Sequence, residues 1–566
     1  MKQIAILIAA LLATATVSAE VRFDRDAAAP CVSIDGTPFI ILGGELGNSS
    51  ATCDADIETI FPKLARMNLN TVLVPAYWEL VEPEEGHFDF ALTDKVVDEA
   101  RRNGLKVVFL WFGAWKNSMS CYAPEWFKAD SKRFPRARTA AGRPLEIASA
   151  FSPAVLEADR KAFGEWLRHV EDYDKDNTVV MVQIENEIGM LEDARDHSDL
   201  AEAEYAAGVP EALMKHLSKH KKTLHPTLLE KWKAAGMKKS GAWADVFGDD
   251  RYADEYFMAW NYARYVEALA RDARAITSRP LYVNAALNSR GRRPGEYPSA
   301  GPLAHLKDIW HAAAPTVDFL SPDIYDSGFT DWVGQYALPD NPLFIPEVRR
   351  DDRNGAQAYY VLGHHDAIGI SPFSIENGSD NASAPMVAAY ATLREAMPLI
   401  ARYRGTDAMD AVMLTADAPE QVLTDGNTRI TLSHYFTLPW DPRATNGTPW
   451  PDKAAILIKT SPDEYVLIGS GVVAKFEDES EVKAPTGKLG EDGFLDTGAD
   501  RVADNSGKYH ARQRVGLARV EEVAVAPDGT MSRVRTFNGD ETHQGRHVRI
   551  SVDDNKIIRI RTYQYK

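Results

Sequence analysis

The chain has 566 residues, enough for two or three domains, and its 45% hydrophobic and 26% charged content is that of an ordinary soluble protein. A net charge of −18 argues against a polyanionic partner such as nucleic acid and favours a neutral substrate. The three cysteines, Cys31, Cys53 and Cys121, are too few for a disulfide-built fold. One bridge is compatible with an oxidising compartment, and buried free thiols are an equal or better expectation.

Residues 1–19 stand apart. Lys2 supplies a positive charge, Ile4 to Ala13 an apolar run, and Val17-Ser18-Ala19 a small-residue cleavage site before Glu20. This pattern predicts a secretory signal peptide cut after Ala19 and a periplasmic or secreted protein. The apolar run is too short to span a bilayer, so no membrane insertion is expected.

From residue 37 onward, strand-like and helix-like segments alternate. Pro38 to Gly44 is an apolar strand ending at Glu45, and Ile57 to Met67 has helical spacing. Asn70 to Pro75 is β-rich and Leu92 to Asn103 an amphipathic helix. Leu105 to Phe112 is a strand running into Gly113-Ala-Trp115-Lys116-Asn117. Pro153 to Tyr173 is a long helix with Ser152 as N-cap and proline at its first position. Thr178 to Gly189 begins as a fully apolar run, the signature of a buried parallel strand, and ends in Glu185-Asn186-Glu187. Strand alternation would set Gln183, Glu185 and Glu187 on one face.

Residues 190–253 are charged and Lys-rich and read as an insertion over the working face of a scaffold. Helix Glu255 to Ile276 follows, then strand Leu281 to Leu287 with Asn284 in it and helix Leu303 to Ala313. Strand Val317 to Tyr325 ends in Asp323 and Tyr325, and strand Pro342 to Glu347 in a second carboxylate. Helix Ala356 to Asp366, a strand from Ile368 to Ile375 ending at Glu376, and helix Met386 to Tyr403 complete the series. Eight strand–helix units in residues 20–404 predict a (β/α)8 TIM barrel, with a doubly wound open sheet as the alternative. After Gly405, short alternating strands separated by turn formers predict an antiparallel β-sandwich over residues 405–566, packed directly on the barrel.

Polar residues just after barrel strands lie on the face where ligands bind. Glu187 closes the fourth strand and Glu347 the seventh, so both face one cavity. Two carboxylates about 5–5.5 Å apart are what a retaining glycosidase requires. One stays protonated and donates to the departing oxygen; the other stays ionised and attacks the anomeric carbon. Tyr325 is placed to hydrogen-bond a carboxylate on the seventh strand, and Arg349 and Arg350 follow Glu347, so Glu347 is assigned as nucleophile and Glu187 as acid/base. Asn186 can bond a sugar hydroxyl. Glu45, Trp115, Lys116, Asn117 and Glu376 complete the expected substrate-binding set, with Trp115 offering an aromatic face to a sugar ring. Glu185 is read as a brace. Two further patterns are set aside. Gly469-Ser-Gly-Val-Val-Ala474 is followed by a strand-like run where a dinucleotide site needs a helix. His216 and His220 are four apart on a Lys-rich solvated face. No metal and no cofactor are expected.

Gln183-Ile-Glu-Asn-Glu-Ile-Gly189 resembles the acid/base motif of glycoside hydrolase family 35, the β-galactosidases of clan A. Pro342-Leu-Phe-Ile-Pro-Glu347 resembles that family's nucleophile strand. Tyr77-Trp-Glu-Leu-Val-Glu-Pro-Glu-Glu-Gly-His-Phe-Asp-Phe90 resembles its block after the second strand. The tail is similar to the accessory domain of a bacterial branch, some members of which trim galactose from plant polysaccharide such as xyloglucan. The resemblance implies a retaining, exo-acting, metal-independent β-galactosidase with a carbohydrate substrate. Two departures are visible. Glu79-Leu80-Val81 stands where the family has Asn-aromatic-His, and Gly113 to Asn117 replaces its Cys-Ala-Glu-Trp. An endo-β-glycanase of the clan, or a catalytically dead glycan-binding protein, is the alternative.

Overall fold

The computed structural model describes residues 20–378, 380–482, 488–489, 495–496 and 513–565. The signal-peptide segment 1–19 lies outside the described residues. The centre is a closed barrel of eight strands. These are β1 Ile41–Glu45, β2 Thr71–Tyr77, β3 Lys106–Phe112, β4 Val179–Gln183, β5 Leu281–Ala286, β6 Phe319–Ile324, β7 Phe344–Val348 and β8 Gly369–Pro372. Every neighbouring pair is parallel, and β8 pairs back to β1 to close the ring. Parallel strands need crossovers. Helices α1 Asp54–Arg66, α2 Ala91–Arg102, α3 Pro153–Tyr173, α4 Arg251–Arg274, α5 Lys307–Ala313, α6 Phe329–Tyr336 and α7 Asn354–His364 supply them, and α8 Asp380–Tyr403 follows β8. The helix α6 has no counterpart among the sequence expectations. Its eight residues fall between two strands that the pattern places close together.

The barrel is filled rather than hollow. Ile41, Leu73, Val108, Leu110, Val180, Tyr282, Phe319, Phe344 and Ile368 form one buried cluster inside it. Val21 and Val32 join this cluster from a small antiparallel sheet, Val21–Asp24, Cys31–Ile34 and Thr37–Phe39, that the sequence pattern did not predict. Ile41, Phe319 and Phe344 begin their strands, so this sheet plugs the N-terminal end of the barrel and leaves the opposite end to the ligand. The insertion forms helices Asp199–Ala206, Glu211–Lys219, Pro226–Ala234 and Trp243–Phe247.

Among the described residues, the C-terminal part has a six-stranded and a four-stranded antiparallel sheet. They share a core that includes Val412, Leu432, Leu467, Ala474, Ile550 and Ile558. The inner strands Lys453–Ser461 and Glu464–Ser470 of the six-stranded sheet are buried on both faces. Ala411, Ile456 and Ile468 belong to the barrel's own core cluster, and Gly363 of α7 sits where a Cβ would lie 2.6 Å from Ala411 Cβ and 2.7 Å from Ile456 Cγ1. The segment Gly469–Ala474 spans the end of strand Glu464–Ser470 and the start of strand Val472–Asp478, with only Gly471, at φ +66°, between them. No helix follows to receive a phosphate. The three cysteines are unbridged, and Cys53 and Cys121 are exposed rather than buried.

Candidate active site

At the open end of the barrel four carboxyls converge: Glu45 from the end of β1, Glu187 just past β4, Asp323 on β6 and Glu347 on β7. All four are buried, at 0, 6, 1 and 3% exposure respectively. One carboxylate oxygen from each of Glu187, Asp323 and Glu347 lies within 4.8 Å of the other two. Register explains part of this, since Asp323 and Glu347 are paired neighbours on adjacent strands. The approach of Glu187 is not a matter of register. Strand β4 ends at Gln183, and Glu185 and Glu187 adopt left-handed backbone conformations, φ +58° and +46°. The expected alternation therefore breaks where the chemistry begins.

The break sends the two glutamates to different places. Glu187 turns into the cavity, its backbone N–H donating to Asn284 Oδ1 at 2.9 Å. Glu185 turns away, into the wall between β3 and α3. There it accepts from the backbone N–H of Trp115 at 2.7 Å and of Ala114 at 3.4 Å, beside Asp159. A Cβ at Gly113 would lie 2.7 Å from Asp159 Oδ1 and 2.8 Å from Glu185 Oε1, so the absence of a side chain there makes room for this pair. Glu185 is a brace for the β3 loop.

The cluster holds its charge unequally. Tyr325 Oη donates to Glu347 Oε2 at 2.6 Å, and Asn186 Nδ2 reaches Oε1 at 3.5 Å. Lys116 Nζ donates to Asn186 Oδ1 at 2.8 Å and packs over the Phe112 ring, which fixes the amide's orientation. Burial and then repulsion from Glu347 push Glu187 up to about 7, with Lys116 pulling the other way. Burial and the same repulsion hold Glu45 well above the usual carboxylate range, and neither of its oxygens has a hydrogen-bond partner. A hydroxyl and an amide already donate to Glu347 and Asp323, so the three close oxygens read as a proton-sharing set rather than a cation site. Among the described residues this is the only grouping with metal-ligand spacing. His216 and His220 instead stack on each other at 4.4 Å, with burial pushing His216 down to about 4.

Several expected site residues stand elsewhere. Trp115 is fully buried between Tyr262 and Tyr265, at ring distances of 5.6 and 4.7 Å, so its face is not available to a sugar. Asn117 is exposed in a left-handed turn, φ +50°, beside but outside the carboxyl cluster. Glu376 accepts from Gly47 N and Ser50 Oγ and thereby ties down the loop after β1, which makes it a brace. Arg349 donates to the Tyr325 carbonyl and Arg350 to the Ser374 carbonyl, so neither is the donor to Glu347. Lys116 is the buried cation of the site. Sequence reasoning noted Asp323 at a strand end and Asn284 within a strand but gave neither a role. The strand-end rule that selected Glu187 and Glu347 selects Asp323 equally; Asn284 carries no such signal.

Comparison with known proteins covers the first half of the barrel. Residues 50–238 match a family model described as beta-galactosidase, glycoside hydrolase family 42. This part of the barrel is glycoside-hydrolase-like. The matched stretch contains Asn186-Glu187 and ends before Glu347, and the matching family is 42 where the sequence blocks resemble family 35. Residues 386–549 match a family model described as a domain of unknown function, DUF5597. A beta-galactosidase of Xanthomonas manihotis is 30% identical over 188 residues, 32% of this chain and 29% of that protein. The chain thus spans under a third of the length of this curated relative. Among solved structures, the beta-galactosidase of the haloarchaeon Halorubrum lacusprofundi aligns at TM-score 0.43 with 16% identity over 62% of this chain and 58% of that one. That of Marinomonas ef1 aligns at TM-score 0.44 with 14% identity over 64% and 60%.

Proposed function

We propose that this chain is a retaining exo-β-galactosidase that removes terminal galactose from oligo- or polysaccharide side chains such as those of xyloglucan. The observation that carries the reading is the pair Glu187 and Glu347, with carboxylate oxygens within 4.8 Å of each other, a proton affinity raised at Glu187 and two hydrogen-bond donors aimed at Glu347. That spacing leaves no room for a water between them and fits attack by one carboxylate on the carbon whose leaving oxygen the other protonates. Glu347, with its two donors, attacks the anomeric carbon as the bond to the aglycone oxygen breaks. Glu187, held as the acid, gives its proton to that oxygen. In the second half Glu187 takes a proton from water, whose oxygen displaces Glu347. The family 35 resemblance of the three sequence blocks and the family 42 match over residues 50–238 support the same activity.

Lys116 and Asn186, bonded to each other beside the pair, and the unpartnered oxygens of Glu45 offer donors and acceptors to sugar hydroxyls. Export belongs to the same proposal: a mature chain beginning at Glu20 would be read by mass spectrometry of the protein recovered outside the cytoplasm. The test of function is Glu347→Ala on an aryl β-galactoside. Hydrolysis should be lost, and azide should restore turnover with formation of the inverted α-galactosyl azide. Turnover near the original level without azide would remove Glu347 as nucleophile.

A further inference from the structure

The proposed mechanism uses two of the four buried carboxyls. Asp323 is as deeply placed as either and has no part in it. Its neighbours restrict what it can be. Asn284 bridges it to the acid/base: Asn284 Oδ1 accepts from the Glu187 backbone N–H at 2.9 Å, and Asn284 Nδ2 donates to Asp323 Oδ2 at 2.7 Å. A backbone N–H can only donate, so the orientation of the amide is not free, and its NH2 must face Asp323. That occupies Oδ2. The other oxygen, Oδ1, is buried and has no donor.

The charge balance leads to the same place. Glu45, Glu187 and Glu347 face Asp323 from β1, the β4 loop and β7, and the tyrosines Tyr282, Tyr325 and Tyr336 face it from β5, from the residue after β6 and from α6. Burial and repulsion by carboxyls push every one of these tyrosines up, so they stay neutral. One cation, Lys116, balances Glu45 and Glu187. Four carboxylates against one ammonium in a closed cavity cannot all be ionised. Glu347 is the member at which both a hydroxyl and an amide donate. Burial, with repulsion from Glu347 next, holds Asp323 well above the usual range, and a neutral Asp323 has an O–H that needs an acceptor.

We propose that Asp323 is the positioning residue of the acid/base: a neutral carboxyl whose O–H donates to the Glu187 carboxyl and stabilises the carboxylate left when Glu187 protonates the leaving group. Asp323 keeps its own proton throughout. The proton moved is that of Glu187, and Asn284 holds both partners in place. The proposal rests on the function assigned above.

Two substitutions test it. Asp323→Asn keeps a neutral group that accepts from Asn284 and donates to Glu187; Asp323→Ala removes the donor. Rates on aryl β-galactosides with good and poor leaving groups are measured across the pH range. With Asn, kcat should stay within about threefold and the alkaline limb of kcat/KM should not move. With Ala, that limb should rise by about one pH unit and kcat should fall ~10-fold or more, most on the poor leaving group, with KM little changed. An alkaline limb that drops on Asp323→Asn would mean that Asp323 is ionised and would overturn the proposal. So would an Ala variant with the limb and kcat of the parent. If Ala prevents folding, the infrared difference between parent and Asp323→Asn decides, because a neutral carboxyl band is expected near neutral pH and its absence refutes the neutral donor. A parent enzyme with no activity on any β-galactoside would overturn the assigned function and this proposal with it. Altered or unaltered limbs in an active enzyme bear on Asp323 alone.

Discussion

Tyr325→Phe removes one oxygen from the molecule and should move one limb of its pH profile. Tyr325 Oη donates to Glu347 Oε2 at 2.6 Å, and the remaining donor, Asn186 Nδ2, stands at 3.5 Å from the other oxygen. The ring packs edge-on to Phe373 at 6.2 Å, so phenylalanine keeps its place. A hydrogen bond to a charged group contributes about 1.5–3 kcal/mol, more when its loss leaves a buried acceptor short of donors. At 1.36 kcal/mol per pH unit, the carboxylate left behind binds its proton more tightly by about one to two units. The nucleophile must be ionised, so the acid limb of kcat/KM should move up by that amount and the bell should narrow from its left side. On the acid side of both limbs the loss should reach roughly 10- to 100-fold, and it should shrink as pH rises through the limb of the variant. The assay is initial-rate hydrolysis of an aryl β-galactoside at substrate well below KM, across the pH range, for parent and variant. Superimposable acid limbs, with kcat/KM within twofold throughout, would show that the hydrogen bond does not hold the nucleophile's charge.

The parent profile should fall above about pH 7. Glu187 is raised to about 7 and must carry its proton to act, so its contribution is full below that value and lost as pH rises through it. Glu187→Gln should abolish that limb on activated leaving groups, and a limb that survives the change belongs to another residue. Trp115→Ala should lower stability by about 3–5 kcal/mol, because it empties a buried space between two tyrosines. Thermal melting should drop while KM holds, and the reverse pattern would return Trp115 to the sugar site. Gly363→Val overpacks the seam between α7 and the six-stranded sheet, at a cost of about 1–3 kcal/mol or more. Limited proteolysis should then separate the two parts, and an unchanged digestion pattern would refute a tightly packed seam.

The strand–helix rhythm was readable because burial imposes it. Val179–Val182 is apolar at every position since a parallel strand inside a barrel meets helices on one side and filled core on the other, and α3 begins at Pro153 behind a Ser152 cap as its residues require. Short elements were harder to read. Helix α6 and the N-terminal plug strands carry too few residues for a period to show, and their apolar side chains are satisfied by distant partners such as Phe319. The strand-end rule found Glu187, Glu347, Asn186, Lys116, Tyr325 and Glu45, all of which meet at one end of the barrel. It also proposed Trp115 and Glu376, which the folded chain uses as packing and bracing. A strand end specifies the height of a residue on the barrel and not the direction of its side chain.

From the sequence alone followed the barrel, the β-rich tail and the two glutamates that meet in the cavity, since each depends on local periodicity or on position along a strand. Three things were decided only by tertiary structure. The left-handed backbone at Glu185 and Glu187 turned one into the cavity and the other into the wall. Long-range packing chose Lys116 over Arg349 and Arg350 as the buried cation. Asp323 became a fourth member of the cluster through its register with Glu347 and its bond to Asn284. Proton affinities of this kind arise from charges brought together across more than a hundred residues of chain, and no local pattern of residues encodes them.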